Sequence, residues 1–264
     1  WTEECIIRIE DELGEEVMNT TTNFRGRGNS TWNYPKKPYA IKLDSKAEVL
    51  GMPKHKRWVL LANWMDRTLM RNAVAFEMAR QIMDWAPRGE FVEFYLNGSH
   101  QGNYYLCEQI KIDKNRVNIT EFEDGSATGE DGGYLLEFDT NYQAEINYFM
   151  SQVYGYPVTI KDPDEEIITE WTHPYFTYID NYIGDVENAL VDNDFETVFS
   201  KIDYSTYIDY LLIHEVTTNE EPKHPKSCYM YKDAGGKLCA GPVWDFDWGT
   251  FDPNKTGLLL TNSL

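Results

Sequence analysis

The stretch CYMYKDAGGKLCAGPVWDFD, residues 228–247, decides the fold prediction for this chain. Two short apolar runs, CYMYK and KLCAGPVW, flank a turn sequence and predict a β-hairpin. The second strand leads to Asp245 and Asp247, which stand one residue apart among aromatic residues. Residues i and i+2 of a strand share a face, so both carboxylates could point at one Mg²⁺ or Mn²⁺ ion. The alternative is two separate hydrogen-bonded turn residues.

The part of the chain before the hairpin begins as a sheet. CIIRIE (5–10) and YAIKL (39–43) alternate as strands, and FRGRGNSTWNYPKKP between them is predicted to be a loop. Asp66 is the predicted N-cap of one long helix. Its predicted apolar stripe contains Met70, Val74, Met78 and Ile82 and is widened by Leu69, Ala73, Phe76 and Met83. FVEFYLNGSHQGNYYLCEQIKI and GGYLLEFD predict further strands. The first half is therefore mainly β with one helix.

The second half is predicted to be mainly α. Helical patterns occur at DEEIITEW, after an interruption at Pro174 through YIDNYIGDVENAL, and at YSTYIDYLLIHEVTTN. His214 falls in the apolar stripe of the last helix and is interpreted as a packed core residue rather than a base. We predict an α+β fold of two lobes, of the kind expected for a phosphotransferase, whose C-terminal hairpin carries the metal site.

Composition restricts the function classes. The 264 residues are 42% hydrophobic with no apolar run long enough for a membrane helix, and the net charge of −20 disfavours nucleic-acid binding. The segment from Arg25 to Arg71, however, contains eleven Lys or Arg residues and only three acids. This segment is either a basic surface face or an anion site. The cysteines lack zinc-type spacing, and the pairing of Cys228 with Cys239 is left open.

Several residues of the basic segment are candidates for phosphate binding. Arg25 and Arg27 supply charge in a glycine-containing loop, and Lys42 is a single lysine on a strand, as kinases use to hold phosphates. Glu77 on the following helix could pair with Lys42. The alternatives are an arginine-bearing surface hairpin and a surface lysine.

The segment TNEEPKHPKSCYMY places acids and an amide at a helix end, before the hairpin. The carboxylate of Glu221 could orient an attacking hydroxyl or accept its proton, and Asn219 could support the metal. The alternative is an ordinary polar loop.

A set of motifs in this chain resembles the CotH (spore coat protein H) kinase family. The motifs are RGRGNSTWNYPKKPYAIKL, HKRWVLLANWMDRTLMRN, YLNGSHQGNYYLCEQIKID, GGYLLEFD and PKSCYMYKDAGGKLCAGPVWDFDWGTF. They recur in order from about residue 5 to residue 252. The resemblance implies an atypical protein-kinase-like domain over residues 1–264, for which we predict an N-lobe of about 1–110 and a C-lobe of about 111–264. It also implies ATP and Mg²⁺ (or Mn²⁺) as cofactors and Ser or Thr of proteins as acceptors.

The resemblance also assigns roles to individual residues. Asp245 would be the metal-binding aspartate, Asp247 a less constrained second ligand, and Lys42 the phosphate-holding lysine. Glu108 to Ile110 would line the adenine as a hinge. Where family members often carry N-x-D, this chain reads Asn219-Glu220-Glu221. Glutamate is one methylene longer, and a misplacement of about 1 Å can cost about 100-fold in rate.

Two alternatives to an active kinase accompany this interpretation. A catalytically impaired CotH-like surface or coat protein would bind nucleotide or partners without turnover, and the glutamate favours it. An extracellular glycan-binding module is the other, suggested by 8 Trp and 18 Tyr in an acidic chain. We expect a monomer at the cell surface, secreted or in a spore coat, with an export signal removed before Trp1.

Overall fold

A computed structural model of the protein describes residues 1–123, 126, 128–143, 145–163 and 173–252. The structure is α+β, and the helices lie mostly in the C-terminal part, as predicted. The chain forms two compact units: Trp1–Glu77 with Pro87–Ile110, and Met78–Ala86 with Lys111–Leu264. Among the described residues, no helix has the length and apolar character needed to cross a membrane.

The first unit is built on a six-stranded antiparallel sheet. Its strands are β1 (Thr2–Glu10), β2 (Glu16–Gly26), β3 (Tyr39–Val49), β4 (Met52–Leu61), β5 (Gly89–Leu96) and β6 (Ser99–Glu108). They are ordered β1-β2-β3-β4-β6-β5. Ile41, Leu43, Trp58 and Leu60 alternate along β3 and β4, and with Tyr104 they form a buried core on one face. Period-two alternation of this kind is what a sheet with one buried face requires.

The prediction of a loop between the first two strands was wrong in part. β2 occupies residues 16–26, and its last residues pair with β3 through Arg25 opposite Ala40 and Gly26 opposite Tyr39. The strand continues into the FRG sequence because β3 supplies its hydrogen-bonding partners. Only residues beyond Gly26 leave the sheet, and they include a 3₁₀ turn at Ser30–Asn33.

The single helix of this region, α1, is Arg71–Arg80, which is shorter than predicted. Asp66 lies five residues before the first residue of α1. Its carboxylate nevertheless accepts the N–H of Arg71 at 2.8 Å, which gives a hydrogen-bond partner to one of the free N–H groups at the helix start. The buried positions are Asn72, Ala75, Phe76 and Ala79. The predicted stripe was wrong in part: Met70, Val74 and Ile82 are exposed, whereas Phe76 is buried as predicted.

In its described residues, the second unit contains a five-stranded sheet and three helices. The prediction of a mainly α second half was therefore incomplete. The strands are β7 (Tyr134–Phe138), β8 (Tyr148–Met150), β9 (Pro157–Asp162), β10 (Cys228–Lys232) and β11 (Leu238–Ala240), ordered β11-β10-β7-β9-β8. The helices are α2 (Pro174–Val191), α3 (Phe195–Lys201) and α4 (Tyr204–Thr217).

Helix α2 contributes to the apolar core with the sheet of the second unit. Ile179 and Ile183 of α2 belong to one buried cluster with Leu136 and Val158 of the strands. The helix begins at Pro174, and the ring of His173 caps it by accepting the N–H of Tyr175 at 3.3 Å. The helix predicted at DEEIITEW, residues 164–171, lies outside the described residues.

The predicted hairpin of β10 and β11 is confirmed. Tyr231 pairs with Cys239, which leaves Cys228 three positions earlier on β10 and on the opposite face of the sheet. Both thiols are free. Burial raises the pKa of the Cys228 thiol to about 12. A disulfide within this hairpin is therefore excluded by its register, and Cys228 is an inert core thiol.

Candidate active site

The residues after β11 form a loop that carries Asp245 and Asp247. Residues 241–246 have no regular secondary structure, and Asp245 has a left-handed backbone with φ of +65°. The prediction that these aspartates share the face of a strand was therefore wrong. Aspartate tolerates this backbone region better than most residues, and such conformations often occur at functional sites. Asp247 is buried and Asp245 is half-buried.

Asn219, at the end of α4, connects the candidate catalytic and metal-binding segments. Its side-chain amide donates to the carbonyl of Asp245 at 3.3 Å, and its side-chain oxygen accepts the N–H of Glu221 at 3.0 Å. The side chain is fully buried. The structure thus brings Asn219, Glu221 and Asp245 together. Because both polar ends of the amide contact protein backbone, Asn219 positions the two segments.

The end of α4 explains why Asn219 is held in place. Thr218 adopts φ of +53° and ends the helix, and the N–H of Asn219 donates to the carbonyl of His214 at 2.9 Å. A left-handed residue followed by such a bond is a common helix ending. The loop returns to the same helix end, since the N–H of Phe251 donates to the carbonyl of Thr217 at 2.7 Å. Residues 245–251 are therefore fixed to α4 at both ends.

His214 of α4 packs against this loop through its ring. Its ring stacks on Phe246, with 5.4 Å between centroids and 21° between planes, and it also contacts Tyr210 at 4.3 Å. The residue is 1% exposed, which confirms the prediction of a packed core histidine. Within the described part of the chain, neither ring nitrogen has a hydrogen-bond partner. Burial lowers the pKa of His214 to about 3, so the ring is neutral at pH 7.

Glu221 begins a short 3₁₀ turn, Glu221–Lys223, immediately after Asn219. The residue is buried, whereas its neighbour Glu220 forms a 3.4 Å ion pair with Lys223. The two adjacent glutamates therefore differ: Glu220 is part of a local surface pair, and Glu221 lies inside the unit next to the Asn219 bridge. Of the two, Glu221 is the one whose N–H is bound by the Asn219 side chain.

Asp139, which the sequence reasoning did not select, anchors the segment after Glu221. Its carboxylate accepts the N–H of Asn141 at 2.7 Å and that of Ser227 at 3.2 Å. The neighbouring N–H of Thr140 donates to the carbonyl of Pro225 at 3.0 Å. An aspartate at a strand end is a frequent turn residue, and the last letter of GGYLLEFD was the available signal.

The donor set of this loop is compatible with a divalent cation. Asp245 and Asp247 offer carboxylate oxygens, the ligand type that Mg²⁺ and Mn²⁺ prefer. In the described residues, no group of three or more His, Cys, Asp or Glu side chains is placed to hold a metal. Mg²⁺ usually binds one or two carboxylates and completes its shell with water and substrate phosphates. Two aspartates therefore match a nucleotide-linked ion and do not form a complete protein cage.

In the first unit, Arg25 and Lys42 share one face of the sheet. Lys42 is directly opposite Asn23 on β2 and Arg57 on β4, and Arg25 follows Asn23 by two residues. The guanidinium groups of Arg25 and Arg57 lie 4.4 Å and 5.2 Å from the centroid of the Trp1 ring. Three cationic side chains thus occupy adjacent strands. Arg57 was missed because strand register cannot be read from sequence.

The glycine-containing loop after β2 is packed by its own aromatic residue. A Cβ atom at Gly26 would lie 2.2 Å from the Trp32 ring, so glycine is required there by packing. The N–H of Arg27 donates to the carbonyl of Pro38 at 3.2 Å, and the residue is half-buried. Packing against Trp32 therefore explains why residue 26 is glycine without any phosphate-binding role for the loop.

The remaining candidates of the first unit have differing surroundings. Glu77 is exposed on α1, and its pairing with Lys42 stays a prediction. The Glu108 carboxylate is completely buried and accepts two bonds from the Arg88 guanidinium, at 2.9 Å and 2.8 Å. Ile110 is buried just after β6. The ion pair gives Glu108 a structural role, and a hinge role for Glu108 to Ile110 stays a prediction.

Comparison with known proteins identifies the family. In a comparison with curated proteins, no relative matches this chain. The profile of the family described as "CotH kinase protein" matches residues 24–260, which is most of the chain and includes every candidate residue. A family of kinases implies ATP use and a protein substrate. With a match of this extent, the chain belongs to the CotH kinase family.

Proposed function

We propose that the protein is an ATP- and divalent-metal-dependent phosphotransferase that acts on Ser or Thr side chains of proteins. One observation carries the proposal: Asn219 links the backbone of Glu221 to the backbone of Asp245 through a single buried side chain. A phosphotransferase needs an acceptor-orienting carboxylate held in register with a metal-binding carboxylate. Family membership supports the same chemistry.

In this proposal the residues of the second unit have distinct roles. Asp245 and Asp247 would hold Mg²⁺ or Mn²⁺, and the bound ion would neutralise charge on the phosphates of ATP. Glu221 orients the acceptor hydroxyl and accepts its proton as the oxygen attacks the γ-phosphorus and ADP departs. Asn219 is a positioning residue, and His214 keeps Phe246, and with it the aspartate loop, in one place.

The residues of the first unit are proposed to bind the nucleotide. Lys42, with Arg25 and Arg27, would contact phosphate oxygens, which suits their location in the only strongly basic part of an otherwise acidic sequence. Glu77 would pair with Lys42, and the backbone of Glu108 to Ile110 would line the adenine. The family supports a protein substrate, and we propose that it is a secreted, surface or coat protein, met outside the cytoplasm.

A second candidate function is a nucleotide- or partner-binding scaffold without turnover. The observation that favours it is Glu221 itself, which begins a 3₁₀ turn with Pro222 as its second residue and which the motif resemblance aligns with an aspartate. A longer side chain on a fixed backbone would misplace the proton acceptor. The glycan-binding alternative gains no support from the family.

Calorimetric titration of ATP tests the proposal, first with Mg²⁺ or Mn²⁺ and then with EDTA. We expect metal-dependent binding that Asp245→Asn weakens by at least about 10-fold. Asp185→Asn is the matched control, because this acid forms only an exposed pair with Lys201 and should leave affinity unchanged. Equal affinity of wild type and Asp245→Asn would refute the metal assignment. Metal-dependent binding without transfer to any protein acceptor would favour the scaffold.

A further inference from the structure

One side of helix α4 exposes apolar side chains where a solvent-facing helix normally carries polar ones. Tyr204, Ile208, Leu212 and Val216 recur every four residues and are 57%, 51%, 46% and 59% exposed. We call these four residues the α4 stripe. Residues at this spacing lie on neighbouring turns of one side, and the stripe extends about 18 Å along the axis. The opposite side buries Ile213, His214 and Thr217.

The exposed apolar surface continues beyond both ends of the stripe. Phe199 of α3 is half exposed, and its ring meets Tyr204 edge-on with 5.7 Å between centroids. At the other end, Phe251 is exposed, and its N–H is bonded to Thr217, next to Val216. A contiguous exposed apolar surface of this kind marks an interaction site. The stripe is continuous with Phe199 of α3 at one end, and the backbone of Phe251 is bonded to the last residue of α4 at the other.

The charges around the stripe indicate what binds there. Helix α4 contains two acids and no Lys or Arg, while Lys237 donates to the carbonyl of Phe199 at 2.6 Å at the α3 end of the stripe. Asp203, Asp209 and Glu215 lie within or next to α4 and border the stripe. A second copy of this protein, with its net charge of −20, would bring the same acidic border against itself. The surface therefore fits a partner segment that carries apolar side chains together with Lys or Arg.

We propose that the α4 stripe is the docking site for a basic, amphipathic segment of the protein substrate. This inference rests on the proposed function. Val216 lies three residues before Asn219 on the same continuous backbone, so a segment bound along the stripe is directed toward Glu221. Apolar side chains on one side of the segment would occupy the stripe, and its Lys or Arg side chains would face the acidic border.

Selection from a random peptide library displayed on phage tests the docking site. Peptides are first selected on the immobilised wild-type protein. Those that also bind the Ile208→Gln/Leu212→Gln variant are then discarded, because they bind outside the stripe. Glutamine keeps the helix and removes the apolar surface. We expect peptides rich in Lys, Arg and apolar residues, whose affinity, measured by fluorescence anisotropy, falls at least about 10-fold on the double variant.

The control Ile146→Gln/Met150→Gln changes two other exposed apolar residues of the second unit and should retain peptide affinity. Peptides without basic enrichment, or equal affinity for the wild type and the stripe variant, would overturn the proposal. So would a wild-type dimer, seen by sedimentation, that the stripe variant dissociates. Peptide binding needs no ATP, so the docking proposal can be correct even if the protein transfers no phosphate. If the protein transfers phosphate equally well with and without the stripe substitutions, the docking proposal is wrong and the proposed function stands.

Discussion

Glu221 is the side chain on which the proposed phosphotransfer depends most directly. Its backbone N–H is bound by Asn219, so the position of its Cα is fixed and the length of its side chain sets where the carboxylate lies. The extra methylene relative to aspartate is therefore not absorbed by backbone movement. A misplacement of about 1 Å is enough to change rate by about 100-fold.

Glu221→Asp should raise the rate of phosphate transfer from ATP to a protein acceptor, and Glu221→Gln should abolish it, because only a carboxylate can accept the hydroxyl proton. Glu220→Gln is the control, since its carboxylate pairs with Lys223. Radiolabel transfer under saturating ATP measures all three. A lower rate in Glu221→Asp would mean that this site is built around the longer acid.

His214 makes the second unit sensitive to acid. Its folded-state pKa of about 3 lies below the ordinary value of 6.5, so the unfolded chain binds the proton more tightly than the folded chain does. Stability is therefore complete above pH 6.5 and decreases as the pH falls toward 3. At pH 5 the loss from this residue is about 2 kcal/mol.

His214→Phe keeps a ring beneath Phe246 and removes the titration. We expect the variant to lose less unfolding free energy than wild type between pH 7 and pH 5, by about 2 kcal/mol. Urea unfolding followed by tryptophan fluorescence at the two pH values gives the difference. Exposed His224→Phe serves as the control and should behave as wild type. Identical pH dependence in wild type and His214→Phe would show that His214 is already protonated or does not titrate.

At the scale of elements, sequence patterns predicted the helices and strands whose formation depends on local sequence signals. The hairpin of β10 and β11 and helix α4 carry local turn and periodicity signals, and both are present. The whole of β2 was missed, since no strand was predicted over residues 16–26. Its FRG end resembles a loop by composition and is a strand only through its pairing with β3. The α1 stripe was right at Phe76 and wrong at Met70 and Val74, because the packed side of the helix is formed by Phe76 with the small residues Ala75 and Ala79.

The candidate site was predictable in its residue types and not in its geometry. The acids at 221, 245 and 247 were selected from spacing and from family resemblance. The bridge through Asn219 joins backbone groups of segments 26 residues apart, and no local pattern encodes such a bond. The same applies to Arg88, whose pairing with Glu108 spans 20 residues and depends on the register of β5 and β6.

The Arg88–Glu108 pair should stabilise β5 and β6 strongly. The Glu108 carboxylate is completely buried, so Arg88→Leu leaves a buried charge without its guanidinium partner and should cost about 3–5 kcal/mol. Arg88→Leu/Glu108→Leu removes both charges and should recover most of that loss. Chemical unfolding of the two variants measures the difference. A double variant as unstable as the single one would mean that packing, and not charge, governs this position.

At the scale of the whole molecule, charge is distributed very unevenly. The chain carries −20 overall, yet the segment from Arg25 to Arg71 is strongly basic, with eleven Lys or Arg against three acids. ATP is itself an anion, so most of the protein surface repels it. Either the basic segment attracts the nucleotide through its total charge, or Arg25 and Lys42 bind it through their position on one face of the first sheet.

Two double variants with the same change in net charge separate these explanations. Arg25→Met/Lys42→Met removes two charges from the shared sheet face, whereas Lys46→Met/Lys54→Met removes two charges elsewhere in the segment. A local phosphate site predicts a loss of ATP affinity of at least about 10-fold in the first and below about 2-fold in the second, because screening weakens distant charges. Calorimetric titration with Mg²⁺ at physiological salt measures both. Equal losses would show that ATP responds to the total charge of the basic segment, and Arg25 and Lys42 would then have no specific role.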